Sequence, residues 1–332
     1  MFISEHYKEN WKSRIKMKEI ALCADLYDSI AELTFNFFHK KGFIWLPVSP
    51  TTKAVSSPSA LGSDSKPVQV KINENSLFLI DSAQFQLEYG CRLCNKGCFY
   101  FMHSFRFEEP DYRHLSQFIH SEAEFMGELK DVIKLVEQYI RFLTRNLKKK
   151  HFDKLKKIDG VLERVEKLEK KKNSFTVIAF DDVEKILKKI NGCIEIVGKN
   201  ARTLTPFGEK QLLKKIGEEF IWVTHWDKLS VPFYQAINNE EKAINGDLLF
   251  GIGEVVGAGQ RHNSGAKLKI AMEDHELDCY DYQWYIEMKE MVPLQTSGFG
   301  MGVERYLAWL LGDYDIRNFV IFTRNRNQEG EP

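Results

Sequence analysis

Two glycine-punctuated segments constrain this chain more than any other feature. Residues 247–261 read DLLFGIGEVVGAGQR, and residues 297–305 read SGFGMGVER. Glycine weakens a strand interior, so strands this rich in it occur where something must come close to the backbone. That something is either a crowded neighbouring strand or a ligand, and each segment alone leaves both readings open. In the first, Asp247 and Glu254 are hard carboxylates that suit Mg2+ bridging nucleotide phosphates, and Arg261 adds a cation at the far end. In the second, glycines at 298, 300 and 302 let a strand pass under a ligand before an apolar run, YLAWLLGD. We expect the last strong element to begin at Gly298 and run as a helix through Leu311. Arg305 then falls in its first turn, where the helix dipole and free amides favour an anion.

A third constellation lies upstream: Phe105-Arg106-Phe107-Glu108, then Arg113-His114, then Phe118. Alternation in a strand would place Arg106 and Glu108 on one face, with the two phenylalanines on the other. An arginine facing a cavity suits phosphate or carboxylate, because its planar fork binds two oxygens at once. Phe118 could stack on a base. The competing reading is a hairpin whose charged face is simply exposed.

The rest of the chain predicts a mixed α and β protein. Apolar residues at helical spacing predict a helix over 14–41, ending at Gly42; FIWLPV reads as a strand. A Pro/Ser-rich loop follows, SPTTKAVSSPSALGSDSKP, placed to act as a lid. Short strands are expected at 68–72 and 77–80, a helix at 83–93, and strands at 99–108 and 117–125. Residues 128–172 read as one helical block whose lysine-rich second half is a solvated face or, less simply, a local surface for RNA. Further strands are expected at 175–180, 193–197, 220–225 and 247–261. Neither a dinucleotide-binding glycine fingerprint nor a phosphate-binding P-loop motif occurs.

Composition bounds the function. With 332 residues, 47 Lys+Arg against 47 Asp+Glu and 43% hydrophobic residues, the chain has ample material for a globular core. The balanced charge gives no broad cationic surface of the kind that dominates nucleic-acid affinity. The first dozen residues lack an apolar signal core, and no run nears the ~20 apolar residues of a membrane span. A cytoplasmic location is expected. Cys91, Cys94 and Cys98 have a metal-like spacing, but no fourth ligand is evident nearby and the segment continues into CFYFMHSFRFE, a buried-strand pattern. Reduced structural thiols are the expectation.

Together the three constellations resemble the catalytic core of class II aminoacyl-tRNA synthetases, in the asparaginyl/aspartyl branch. FRFE…RHL…F is similar to the second class II signature and GFGMGVER to the third. GIGEVVGAGQR resembles the GxGEIxGGxQR of asparaginyl-tRNA synthetases, and SAQFQLE at 82–88 their SGQLYAE. Pro50 stands for the proline of the first signature, at the family's dimer interface. The fold implied is α+β, an antiparallel β-sheet flanked by helices. A single catalytic domain is expected over 1–332, with a Lys-rich helical insertion at about 145–173 and no anticodon-binding domain.

The resemblance implies ATP and Mg2+ as cofactors and an aminoacyl-adenylate as first product. Arg106 and Arg305 would be catalytic. Arg106, Glu108, Arg113, His114, Phe118, Glu254 and Arg305 would bind ATP, while Asp247 and Glu254 hold the metal. Ser82, Gln84, Glu88, Glu122 and Arg261 would bind the amino acid. Aspartate-specific members have a lysine where this chain has Leu87, and asparagine-specific members use a glutamate at the position of Glu88 to accept the amide. Asparagine is therefore expected over aspartate. Gly259 replaces a usual serine, Gln117 a usual glutamate, His120 a glutamine or hydrophobe, and Thr296-Ser297-Gly298 a usual His-Ser-Gly. The expected partners are the amino acid, a second copy in a homodimer and conditionally tRNA, with neither membrane nor DNA. Two alternatives stand beside this reading: an ammonia-dependent asparagine synthetase acting through aspartyl-adenylate, and a non-catalytic regulatory paralogue.

Overall fold

The computed structural model describes residues 5–63 and 65–322. Its centre is an eight-stranded sheet. From one edge the strands run Ile44–Trp45, Cys98–Phe105, Gln117–Met126, Thr296–Gly302, Gly253–Gln260, Asn245–Phe250, Ile221–Thr224 and Thr176–Ala179. Neighbours are antiparallel except at the two edges, where the first and last pairs are parallel.

One face of this sheet is sealed by helices. Lys18–Lys40 buries Cys23, Leu26, Ile30, Leu33 and Phe37, a stripe with alternating steps of three and four residues that forms one helix face. Leu129–Leu155 packs beside it, started by a capping box between Glu128 and Asp131. Phe38 stacks on Phe99 of the sheet with ring centres 4.8 Å apart, and Trp309 of the helix Val303–Leu311 meets Phe220 and Phe250 edge-on. With this face closed by aromatic packing, the opposite face is the one left for a site.

The structure corrects several boundaries. The first long helix starts at Lys18, after a separate turn at Trp11–Arg14. The strand expected over 99–108 ends at Phe105. Arg106 still donates its N–H to Ser116 O, but Phe107 N turns to Lys66 O, so Arg106 and Glu108 do not sit on one regular strand face. The segment 247–261 is two antiparallel strands that reverse at Gly251, whose φ of +58° and tight seat on Trp309 require glycine. Residues Thr296–Gly302 are strand, and the helix begins only at Val303.

The lysine-rich block is also two helices, Leu129–Leu155 and Val161–Lys170, parted at Gly160 with φ +74°. Their apolar residues Leu147, Leu155, Val161, Val165 and Leu168 all enter the main core. Most of the lysines pair with acids: Lys148 with Glu169, Lys150 with Glu32, Lys154 with Asp25, Lys171 with Glu218. The block is a wall of the core with a neutralised face. The Pro/Ser-rich loop is likewise anchored: Thr51–Thr52 joins a three-stranded sheet, and buried Asp81 accepts from Ser56 N, Ser56 Oγ and Ser57 N.

Candidate active site

Register across the open sheet face explains the glycines. Glu122 lies between Tyr100 and Gly300, which continues to Gly257 and then Asp247. Two residues along, Cys98, Glu124, Gly298, Gly259 and Asn245 form a parallel row. The acidic side chains of one strand lean over the glycines of the next: a Cβ on Gly298 would come within 1.9 Å of Glu124 Oε2. The glycines clear a trough, and glutamates and arginines line it.

Two cavities share this trough. The larger, about 500 Å³, is lined by Arg106, Glu108, Arg113, His114, Phe118 and Arg305, with Ser57, Gly62, Ser63 and Ser65 of the anchored loop on its rim. The smaller, about 290 Å³, is lined by Ser82, Gln84, Leu87, Glu122, Glu124, Gln235, Asp247 and Arg261. Arg106, His120, Glu254 and Gly300 face both. Arg106 is thus the cation at the junction. Its guanidinium lies 5.5 Å over the Phe118 ring, and its buried Nε has no hydrogen-bond partner among the described residues. A buried guanidinium donor left open costs stability unless something accepts from it, so the atom points to an anion.

Around the larger cavity, Arg305 donates to Glu254 O at 2.8 Å and to its carboxylate at 3.4 Å. Arg113 bonds Glu209 Oε2 at 2.8 Å, while its buried Nε and Nη1 have no partner among the described residues. His114 Nδ1 contacts Asp111 at 3.0 Å. Burial would raise the Glu254 carboxyl, but Arg305, Arg113 and Arg106 hold it below the ordinary glutamate range. Asp247 is pushed well above its ordinary value by burial and by the charges of Glu254 and Glu209. The arginines thus balance the charge on Glu254 but not a second negative charge on Asp247. Among the described residues no group of three or more His, Cys, Asp or Glu forms a metal cage. Two hard carboxylates fit a divalent cation that takes its other oxygens from phosphates and water, as Mg2+ commonly does.

In the smaller cavity, Glu122 accepts from Ser82 Oγ at 2.7 Å and contacts His120 Nδ1 at 2.9 Å. Gln84 is buried, and its Nε2 has no partner among the described residues. Arg261 is held on one side by Glu124 through Nε and Nη2, at 3.1–3.3 Å, and on the other by Gln235 Oε1 at 2.9 Å. Burial, opposed by Arg261, raises Glu124 to about 7.

The family described as tRNA synthetases class II (D, K and N) matches residues 7–326. The chain belongs to that family of ligases. Among curated relatives, the asparagine–tRNA ligase of Blochmanniella pennsylvanica is 27% identical over 96% of this chain and 73% of its own length. That of Acholeplasma laidlawii is 31% identical over 64% of this chain and 47% of its own. The fold is similar to asparaginyl-tRNA synthetase from Pyrococcus horikoshii complexed with asparaginyl-adenylate, at TM-score 0.83 and 22% identity, covering 95% of this chain and 70% of that one.

In this class II synthetase, one expected site residue is displaced. Glu88 lines neither cavity; it is fully buried, bonded to Lys289 and Tyr285, with Arg92 Nη1 3.8 Å away. Lys289 comes from the helix Gln283–Met291 and also donates to His262 O at 2.8 Å. A glutamate paired in this way has no oxygen turned to the cavity, whereas Leu87 beside it does line the wall. The other expected residues, Ser82, Gln84, Arg106, Glu108, Arg113, His114, Phe118, Glu122, Asp247, Glu254, Arg261 and Arg305, all border the trough. Sequence reasoning missed Glu124, Gln235, Glu209 and Glu304. Glu124 had a local signal, two residues after Glu122 on the same strand face. Glu304 stands in the GFGMGVER motif beside Arg305, whereas Gln235 and Glu209 arrive by tertiary contact, Glu209 from the helix Pro206–Ile216.

Proposed function

We propose that this synthetase core uses ATP to activate asparagine or a close analogue, in preference to aspartate, as an enzyme-bound aminoacyl-adenylate. The observation that carries the reading is Arg106 standing, with an unpartnered buried Nε, where the two cavities meet. The relatives' names, asparagine–tRNA ligase, support the same amino acid and tRNA as acceptor. ATP would fill the larger cavity with its base on Phe118, and the amino acid the smaller one with its ammonium on Glu122. Ser82 fixes the Glu122 carboxylate, and Gln84 Nε2 offers a donor to the bound amino acid.

The chemistry needs no general base, because a carboxylate is already a nucleophile. One of its oxygens forms a bond to the α-phosphorus while the bond from that phosphorus to the bridging oxygen breaks, releasing pyrophosphate. Arg106 lies where charge builds on the α-phosphate, and removal of one such donor commonly costs about 10²–10³ in rate. Arg113, His114 and Arg305 face the leaving group. Positioning the two reactants in adjoining cavities supplies most of the remaining advantage. Asp247 and Glu254 would hold Mg2+, which neutralises phosphate charge when bound.

Exposed Tyr89, Leu93 and Trp284 edge an apolar groove of about 380 Å³ with Leu46, Pro47 and Val48, which supports a homodimer. Among the described residues no helix is long and apolar enough to cross a membrane; we assign a cytoplasmic location. Leu87 on the cavity wall disfavours an aspartate-activating asparagine synthetase, and the three open phosphate-facing arginine nitrogens disfavour a binding-only paralogue. Amino-acid-dependent ATP–pyrophosphate exchange tests the reading. Exchange with asparagine is expected, reduced about 10²-fold or more in Arg106→Ala. No exchange with any amino acid would overturn it, and exchange with aspartate alone would reverse the substrate.

A further inference from the structure

Gln235 occupies space that a side chain at position 259 would otherwise claim. A Cβ built on Gly259 meets Gln235 Oε1 at 1.9 Å, Cδ at 2.6 Å and Nε2 at 2.9 Å. The two positions are sterically exclusive: the glutamine can take this place only because residue 259 has no side chain. The exchange lies at the far end of the amino-acid cavity, where Gln235 and Arg261 also form a backbone bridge. Gln235 is itself buried, so its carboxamide is fixed rather than solvated.

Its consequence falls on Arg261. A guanidinium has five N–H donors on three nitrogens. Glu124 takes Nε and Nη2 in a side-on pair, and Gln235 Oε1 takes Nη1. Every nitrogen of Arg261 therefore already faces a protein oxygen. A substrate carboxylate needs a bidentate fork to offset its desolvation. Here it would find Nη1 shared with Gln235 and Nη2 with Glu124, one N–H left on each, and the like-charged Glu124 carboxylate beside them. A carboxamide meets the opposite situation: its oxygen accepts an N–H left on Arg261, and its NH2 donates to the oxygens of Glu124 and Gln235. Without Gln235, Nη1 would be released to face the cavity.

We infer that Gln235, admitted by Gly259, is a specificity-determining residue of the amino-acid site, holding Arg261 so that an uncharged carboxamide side chain is accepted and a carboxylate refused. This rests on the amino-acid assignment of the smaller cavity. It adds the residue pair that sets the selectivity.

The test compares the full chain with Gln235→Ala, Gly259→Ser and the double variant, each with asparagine and with aspartate. Two readouts are taken, kcat/KM in ATP–pyrophosphate exchange and amino-acid binding by calorimetry. Gly259→Ser alone should lower the melting temperature, since its Cβ overlaps the glutamine, and the double variant should recover it. Gln235→Ala and the double variant should each lower the asparagine-to-aspartate ratio about tenfold or more, the scale of one hydrogen bond to a charged group. Equal losses with both amino acids, ratio unchanged, would overturn the inference and leave Gln235 a packing residue. Calorimetry separates the two claims. Preferential asparagine binding that is lost in Gln235→Ala, in a protein without exchange, sinks the activation reading alone. Wild-type chain that binds asparagine no better than aspartate sinks the inference.

Discussion

At the scale of single residues, the buried charges make the sharpest demands. Glu88 and Lys289 are both fully buried and bonded to each other. Removing one partner leaves an unpaired charge in low dielectric, which commonly costs 3–5 kcal/mol. Lys289→Met should therefore lower unfolding free energy in urea by about 3–5 kcal/mol, and Glu88→Gln with Lys289→Met should return most of it. Equal losses in the single and double variants would refute the pairing. Glu304 gives a pH signature. Its carboxylate accepts from Ile119 N and Tyr27 OH, and burial raises it from 4.5 to about 7. The folded state then holds a proton that the unfolded chain releases from pH 4.5 upward, so this group's contribution to stability falls between about pH 4.5 and 7. Glu304→Gln should flatten that part of the stability profile, measured by urea unfolding at pH 5 and pH 8. An unchanged profile would exclude Glu304 as its source. Residues such as Arg106, Phe118 and Arg305 were legible in sequence because their chemistry sits in short contiguous motifs. Glu88 misled because adjacency to Leu87 gives no hint that a lysine about two hundred residues away would claim it.

At the scale of elements, periodicity located most strands of the main sheet and the long helices on its closed face, but neither where they break nor the helices Phe180–Leu187, Pro206–Ile216, Gly265–Asp274 and Gln283–Met291. The lysine-rich stretch reads as one helix because its apolar spacing continues through Leu155 and resumes at Val161. Only a five-residue turn, 156–160, ending in the left-handed Gly160 separates the two. The 247–261 segment reads as one strand because a reversal at Gly251 leaves the hydrophobic pattern nearly unbroken. Its rows of glycines became interpretable only once register set glutamates over them. The lysine-rich helices also separate surface charge from core packing. Leu147 is fully buried, and Leu147→Ala should cost about 2–5 kcal/mol. Lys150, about two-fifths exposed and paired with Glu32, should cost less than about 1 kcal/mol as Lys150→Gln. Urea unfolding of both proteins measures the contrast; comparable losses would mean that the ion pairs, not the buried stripe, hold this wall.

At the scale of the whole molecule, the amino-acid cavity and the proposed dimer face are two sides of one helix. Gln84–Cys94 turns Gln84 and Leu87 into the cavity and leaves Tyr89 and Leu93 exposed, Leu93 at 69%. Exposed apolar residues clustered around a groove mark an interaction surface more often than a free one. A two-fold contact places the same patch on both copies, so one substitution counts twice. Sedimentation should give twice the chain mass of 38.7 kDa. Leu93→Asp, which puts a charge into that apolar face on each copy, should shift the protein to monomer. Because the same helix carries cavity residues, asparagine-dependent exchange should fall with dissociation and recover as protein concentration is raised toward the weakened dimer's Kd. A wild-type monomer at micromolar concentration would remove the dimer. A Leu93→Asp monomer with undiminished exchange would show instead that the helix holds the cavity wall without a partner behind it.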